Sequence, residues 1–205
     1  IVEQKIIILN DYNTIVFYGE NDGLKNDFKI KIKNIYQEAE IVNLFQEELL
    51  KNTNLLTNEI SNLSLFSSQK VIFLNEISDK IFNQIEECTV HKNSKTKVII
   101  FSNNLDKKSK LRNYFEKEKN LAIVACYADN ERSLHAYILS KLKDFKGLNG
   151  EIVNLIMKNS DYDRKTVSGE IEKIKTLFLD KKIIKENIKE LLKIKSSNKF
   201  ENIRD

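Results

Sequence analysis

Four short runs of uninterrupted apolar residues constrain this chain more than any other feature: Ile15-Val16-Phe17-Tyr18, Val71-Ile72-Phe73-Leu74, Val98-Ile99-Ile100-Phe101 and Leu121-Ala122-Ile123-Val124-Ala125-Cys126. A strand with one wet face alternates apolar and polar residues. A run without that alternation belongs to a strand covered on both faces, as in a parallel sheet between helices. A further run, Ile6-Ile7-Ile8-Leu9, reads equally as an edge strand or as the end of a leading helix. Helix-like stretches lie between the runs, at about residues 23 to 36, 77 to 88, 109 to 118 and 131 to 143; in the last, Leu134, Ile138 and Leu142 form one apolar stripe. Strand and helix alternate, so the first part is expected to be α/β with right-handed crossovers.

After Gly147 and Gly150 no strand-like run remains. The rest reads as helices near 151 to 159, 163 to 179 and 185 to 194, the middle one with Val167, Ile171, Ile174 and Phe178 on its apolar face and Asp161 or Asp163 as its cap. The expected division is therefore an α/β domain over 1–146 and a small helical domain over 147–205. From Ser196-Ser197-Asn198 onward the periodicity is lost and a frayed tail is expected. With no proline and only 5 glycines, the turns must be made by Asn, Asp and Ser.

Charge and cysteines narrow the function. The 34 basic and 30 acidic residues leave a net charge of +4, a surface dense in both signs that allows contact with nucleic acid without demanding it. Cys88 and Cys126 are too few for a disulfide framework and sit among apolar residues, as small buried hydrophobes do. No apolar stretch approaches the roughly 18 residues that cross a bilayer. The opening Ile1-Val2-Glu3-Gln4-Lys5 lacks the order of a signal peptide, so a cytoplasmic address is expected.

The first buried run leads into Gly19-Glu20-Asn21-Asp22-Gly23-Leu24-Lys25 and then a helix, the place where a nucleotide-binding α/β protein carries its phosphate loop. The chemistry does not match the place. A Walker loop needs Gly, four residues, then Gly-Lys-Ser/Thr; here Leu24 stands for the second glycine and Asn26 for the metal-binding hydroxyl. Glu20 and Asp22 add negative charge where a triphosphate would lie, and the plainer reading is an acid-rich turn capping a helix. Asn75-Glu76, after the second run, offers at most a lone carboxylate for a metal. No catalytic residue, cofactor or metal is expected, because phosphoryl transfer relies on the groups that are missing.

Four segments then carry a resemblance: Phe17-Tyr18-Gly19-Glu20-Asn21-Asp22-Gly23-Leu24, Ser64-Leu65-Phe66-Ser67-Ser68-Gln69-Lys70, Leu105-Asp106-Lys107-Lys108-Ser109-Lys110-Leu111 and Glu170-Ile171-Glu172-Lys173-Ile174. In this order and at these places they resemble the delta subunit of bacterial DNA polymerase III. The resemblance covers nearly the whole chain and implies an AAA+-like parallel sheet with flanking helices, followed by a small helical lid. In that family a third helical domain, the collar, joins the subunit to gamma/tau and delta prime. It is absent from this sequence, and the missing initiator Met is in keeping with a trimmed chain. The resemblance further implies a clamp loader subunit without ATPase activity of its own, working within a DNA-directed DNA polymerase holoenzyme. Such a subunit binds the beta sliding clamp and helps open it for loading on primed DNA.

Carried over by motif, the clamp contact is the pair Leu65 and Phe66, framed by Ser64 and Ser67. Two large side chains held in a polar frame are suited to docking, since each contributes about 1.5–3 kcal/mol when buried. The plainer reading is that Leu63, Leu65 and Phe66 pack a helix onto the sheet.

Lys107, Lys108, Lys110 and Arg112 form a basic cluster able to approach DNA phosphates, or simply a solvated helix start. Cys88 and His91 are too few for a closed zinc site, with Cys126 and His135 far off in sequence, and neither histidine neighbours a nucleophile motif. The alternative from another class is a P-loop-type NTPase with an atypical phosphate loop; a nucleic-acid-binding α/β domain acting alone lacks a basic or aromatic stripe.

Overall fold

The computed structural model describes residues 11–62, 69–90 and 95–192. The chain divides into two compact units, Ile1–Tyr127 and Ala128–Asp205.

In the first unit the order is β1 (Thr14–Tyr18), α1 (Asp22–Ile35), β2 (Glu40–Phe45), α2 (Gln46–Lys51), α3 (Leu55–Ser61), β3 (Lys70–Ile77), a 3₁₀ turn (Asp79–Ile81), α4 (Phe82–Val90), β4 (Thr96–Ser102), α5 (Lys110–Lys117) and β5 (Ala122–Ala125). The four apolar runs are β1, β3, β4 and β5. They join one parallel sheet in the order β2-β3-β4-β1-β5, which confirms the α/β reading. Ile6–Leu9 lies outside the described residues.

The pleat explains why these runs lack polar residues. Successive side chains point to opposite faces. Val16, Ile72, Leu74 and Ile100 join one core with Leu49, Leu56, Ile85, Leu111 and Phe115 from the helices. Ile15, Phe17, Val71, Phe73, Ile99 and Phe101 join the other with Leu24, Phe28 and Ile32 of α1. Both faces are buried, so every position of the strand must be apolar.

β2, α2 and α3 were not foreseen. β2 is an edge strand, Glu-Ile-Val-Asn-Leu-Phe, with only Leu44 buried, and the two helices are too short to display a period. The helix expected from residue 77 begins later, because β3 runs on to Ile77 past a register shift after Leu74. Ser78 then breaks the strand: its N–H and Oγ both donate to Gln46 Oε1, at 2.8 and 2.6 Å.

The second unit holds α6 (Glu131–Lys141), α7 (Gly150–Asn159), α8 (Arg164–Leu177) and helical residues at 185–192. The expected stripes meet in its core: Leu134, Ile138 and Leu142 from α6 and its end, and Val167, Ile171, Ile174 and Phe178 from α8 and its end. Asp163, not Asp161, caps α8, accepting from Thr166 N at 2.7 Å. The helix at Glu131 thus packs with the helices that follow it, and the change of pattern at Gly147 falls inside this unit. Gly147 has a local purpose: at φ +86° its chain passes Ile183 so closely that a Cβ would lie 2.5 Å from the Ile183 carbonyl oxygen. Among the described residues no helix is long and apolar enough to cross a membrane.

Candidate functional site

In an open parallel sheet ligands bind beyond the carboxyl ends of the strands, at the point where strand order reverses. Here that point is the end of β1, which lies between β4 and β5 while the chain leaves it toward the far edge. The turn Gly19–Asp22 occupies it.

This turn is tied to both neighbouring strand ends. Gly19 N donates to Asn103 O beyond β4 at 3.2 Å, and Asn21 N donates to Cys126 O beyond β5 at 3.0 Å. Gly19 adopts φ +129°, and a Cβ there would stand 2.2 Å from Cys126 O, so only glycine fits. Asn21 acts as the helix cap: its Oδ1 accepts from Leu24 N at 2.9 Å and its Nδ2 donates to Tyr127 O at 3.0 Å. The Tyr18 and Tyr127 hydroxyls meet at 3.0 Å, and burial together with this bond pushes the Tyr18 phenol up to about 12.

Lys25 stands where a phosphate loop carries its lysine. It is buried, its Nζ donates to Ser102 O at 3.1 Å, and it pairs with Asp22 at 2.8 Å. The acidic residue expected to repel a triphosphate thus neutralises the lysine that would have bound one. At the end of β3, Asn75 accepts from Lys29 Nζ at 2.8 Å and donates to Leu44 O at 3.2 Å. Glu76 beside it adopts φ +59°, an uncommon conformation for a residue with a side chain. Burial, and then Lys33 nearby, lowers the Lys29 pKa; its ammonium lies over the Phe73 ring at 5.2 Å.

The basic cluster is divided by the fold. Lys107, Lys108 and Lys110 are exposed around the start of α5. Arg112 instead pairs with Glu116 at 2.8 Å, donates to Leu105 O at 3.2 Å and lies 5.3 Å from the centre of the Tyr18 ring. Sequence reasoning missed Asp79, which accepts from Ser109 Oγ at 2.8 Å and from Lys110 N and Leu111 N at 3.0 Å. Burial opposes its ionisation, but these bonds outweigh burial and hold the carboxyl below its ordinary value.

Cys88 is a buried thiol whose pKa is pushed up to about 12, first by burial and then by Glu87, which makes it a poor metal ligand. His91 lies outside the described residues. Among the described residues no group of three His, Cys, Asp or Glu is placed to hold a metal.

Ser64, Leu65, Phe66 and Ser67 also lie outside the described residues. Their flanks are placed: α3 ends at Ser61, Asn62 N closes it on Asn58 O at 2.9 Å, and Lys70 opens β3.

A five-stranded parallel sheet with helices on both faces, a phosphate-loop position after its first strand and a helical unit following it in the chain define an AAA+-like α/β fold. More particularly, the chain is similar to delta subunits of the bacterial clamp loader. It is 29% identical over 142 residues to a probable DNA polymerase III subunit delta from Rickettsia prowazekii (strain Madrid E), across 62% of this chain and 44% of the relative. Its fold is that of the Bacillus subtilis DNA clamp loader delta protein YqeN, with a TM-score of 0.65 and 13% identity over 93% of this chain and 61% of that one. The chain thus spans less than half the length of the curated relative. No family model matches it.

Proposed function

We propose that this chain is the AAA+-like and lid portion of a delta-type clamp loader subunit that binds a ring-shaped beta sliding clamp without hydrolysing ATP. The observation that carries the proposal is the similarity to the probable DNA polymerase III delta subunit, which extends over most of the chain. The β1–α1 turn supports the non-catalytic half. Asn21 holds a helix N–H that would otherwise face a phosphate, Lys25 is engaged by Asp22 and Ser102, and the turn is bonded to both flanking strand ends. Nucleotide binding there would have to break these bonds first.

In this reading Leu65 and Phe66, with Ser64 and Ser67 beside them, enter an apolar pocket of the clamp. The chain binds a sprung clamp better than a closed one, so binding shifts the ring toward the open form. The gamma/tau and delta prime subunits are reached through a collar, and the setting is cytoplasmic. The exposed Lys107, Lys108 and Lys110 approach primer-template phosphates, while Arg112 serves the fold.

The test is clamp affinity in the absence of ATP. The chain is expected to co-elute with purified beta clamp, and Leu65→Ala with Phe66→Ala to weaken binding well beyond about tenfold, since two anchors of this kind contribute several kcal/mol. A loss below about tenfold removes the site. ATP binding by the isolated chain overturns the non-catalytic reading in favour of an atypical NTPase.

A further inference from the structure

Tyr127 is the last residue of the first unit and is 52% exposed. An exposed side chain ordinarily changes rotamer freely. This one is held. Its hydroxyl meets that of Tyr18 at 3.0 Å, its main-chain oxygen accepts from Asn21 Nδ2 at 3.0 Å, and its ring stands at 85° to the Tyr18 ring with the centres 5.9 Å apart.

Cations lie beside the held ring, within the same unit. The Arg112 guanidinium is 5.3 Å from the centre of the Tyr18 ring, and its Nη1 donates to Leu105 O at 3.2 Å. One side chain thus reaches from the tyrosine pair to the segment that carries Lys107, Lys108 and Lys110, all exposed. The carboxylates nearby are turned to other partners. Asp106 accepts from Lys108 N at 2.7 Å, Asp79 accepts from Lys110 N and Leu111 N at 3.0 Å, and Glu116 pairs with Arg112. Among the described residues, none of the three lysine ammoniums is paired with a carboxylate.

A held aromatic ring beside exposed ammoniums suits a ligand with flat π-faces and repeated negative charge. Bases stack on aromatic rings whatever their sequence, while lysines take the phosphates. In a duplex the base faces are already covered by one another, so the ring is offered to single strands. We propose that Tyr127 is a stacking platform for a base of single-stranded nucleic acid whose phosphates run toward Lys107, Lys108 and Lys110. The proposal deepens the DNA-contact reading of those lysines and rests on it. A ring already fixed has little freedom left to lose on stacking. Asn21 and Tyr18, which fill the phosphate-loop position, thereby gain a second use: they hold the platform.

The experiment follows the anisotropy of a labelled oligothymidylate of about 12 nucleotides, titrated with the full chain and its variants at several salt concentrations. Tyr127→Ala is expected to weaken binding about tenfold with the salt slope unchanged, whereas Tyr127→Phe, which keeps the ring and loses the bond to Tyr18, stays within about threefold. Lys107→Ala with Lys108→Ala is expected to lower the salt slope. An abasic strand of the same length should bind the parent about as weakly as the thymidylate binds Tyr127→Ala. A folded Tyr127→Ala chain that binds like the parent overturns the platform and leaves the lysine contact standing. An abasic strand that binds as well as the thymidylate does the same. An unchanged salt slope in the lysine variant overturns the reading on which the proposal rests, and a parent that binds no oligothymidylate at low salt overturns both. Equal competition by an oligoglutamate of the same charge assigns the surface to a protein partner and also overturns the proposal. If Tyr127→Ala fails to fold, Tyr127→Leu, which fills the space without a π-face, takes its place with the same expectation.

Discussion

The turn after β1 and the start of β3 lie at opposite ends of the same parallel sheet, one beyond the carboxyl ends of the strands and the other at their amino ends. At the carboxyl edge the polar groups look inward: Gly19, Asn21 and Lys25 are bonded to Asn103, Cys126, Tyr127, Ser102 and Asp22. At the amino end one buried ammonium, that of Lys70, holds α3 and β3 together. The eight residues of β3 separate the two edges by roughly 25 Å. The two ends are therefore far enough apart for one to change without disturbing the other.

The sharpest way to break this comparison is Gly19→Ala. A Cβ 2.2 Å from Cys126 O at φ +129° forces the turn from both strand ends, and a loss of about 3 kcal/mol is expected in the urea midpoint. Clamp affinity of the folded fraction should stay within about twofold; a parallel loss would show that the two edges are coupled.

A smaller effect is expected from Asp79→Ala, which removes the carboxylate that accepts from Ser109, Lys110 and Leu111, at about 1 kcal/mol near neutral pH. The folded pKa of Asp79 is depressed, so its contribution is complete above the unfolded value near about 3.9 and fades as pH falls through the folded value. The gap between the two unfolding midpoints should be constant from pH 7 to pH 5 and close on further acidification. A gap that does not change with acid would show that the carboxylate is not ionised in these bonds.

The smallest effect belongs to Lys107→Ala with Lys108→Ala, the exposed part of the carboxyl edge. The slope of DNA affinity against salt should fall by about 2. An unchanged slope removes these lysines from the DNA path.

The sequence displays what burial on two faces demands. β1, β3 and β4 were legible because both faces of each are buried, β5 because its run is apolar although it is also an edge strand, and α6 and α8 because one stripe of each enters a core. β2 was not, because an edge strand with Glu40 and Asn43 in it carries no such demand. α2 and α3 span too few turns to show a period.

At the site, the departure of Leu24 and Asn26 from a phosphate loop could be read directly. Its replacement could not, since the bonds of Asn21 to Tyr127 and of Lys25 to Ser102 join residues 106 and 77 positions apart in the chain. Nor could Lys70, which in sequence is one more lysine beside a strand. The resemblance was carried largely by residues that shape turns and cores: Gly19 in its left-handed turn, Ser109 capping α5, Leu105 and Leu111 buried, and Glu170 and Ile171 buried in α8. Leu65 and Phe66 rest on the motif alone.

The register of β3 gives the tie at Lys70 a mechanical meaning. A pull delivered at Lys70 along β3 loads the strand lengthwise. There it is shared by the ladders to β2 and β4, from Glu40↔Lys70 to Phe45↔Asn75 on one side and from Lys70↔Thr96 to Leu74↔Ile100 on the other. Bonds loaded side by side in shear yield together, unlike those of a hairpin, which unzip one by one.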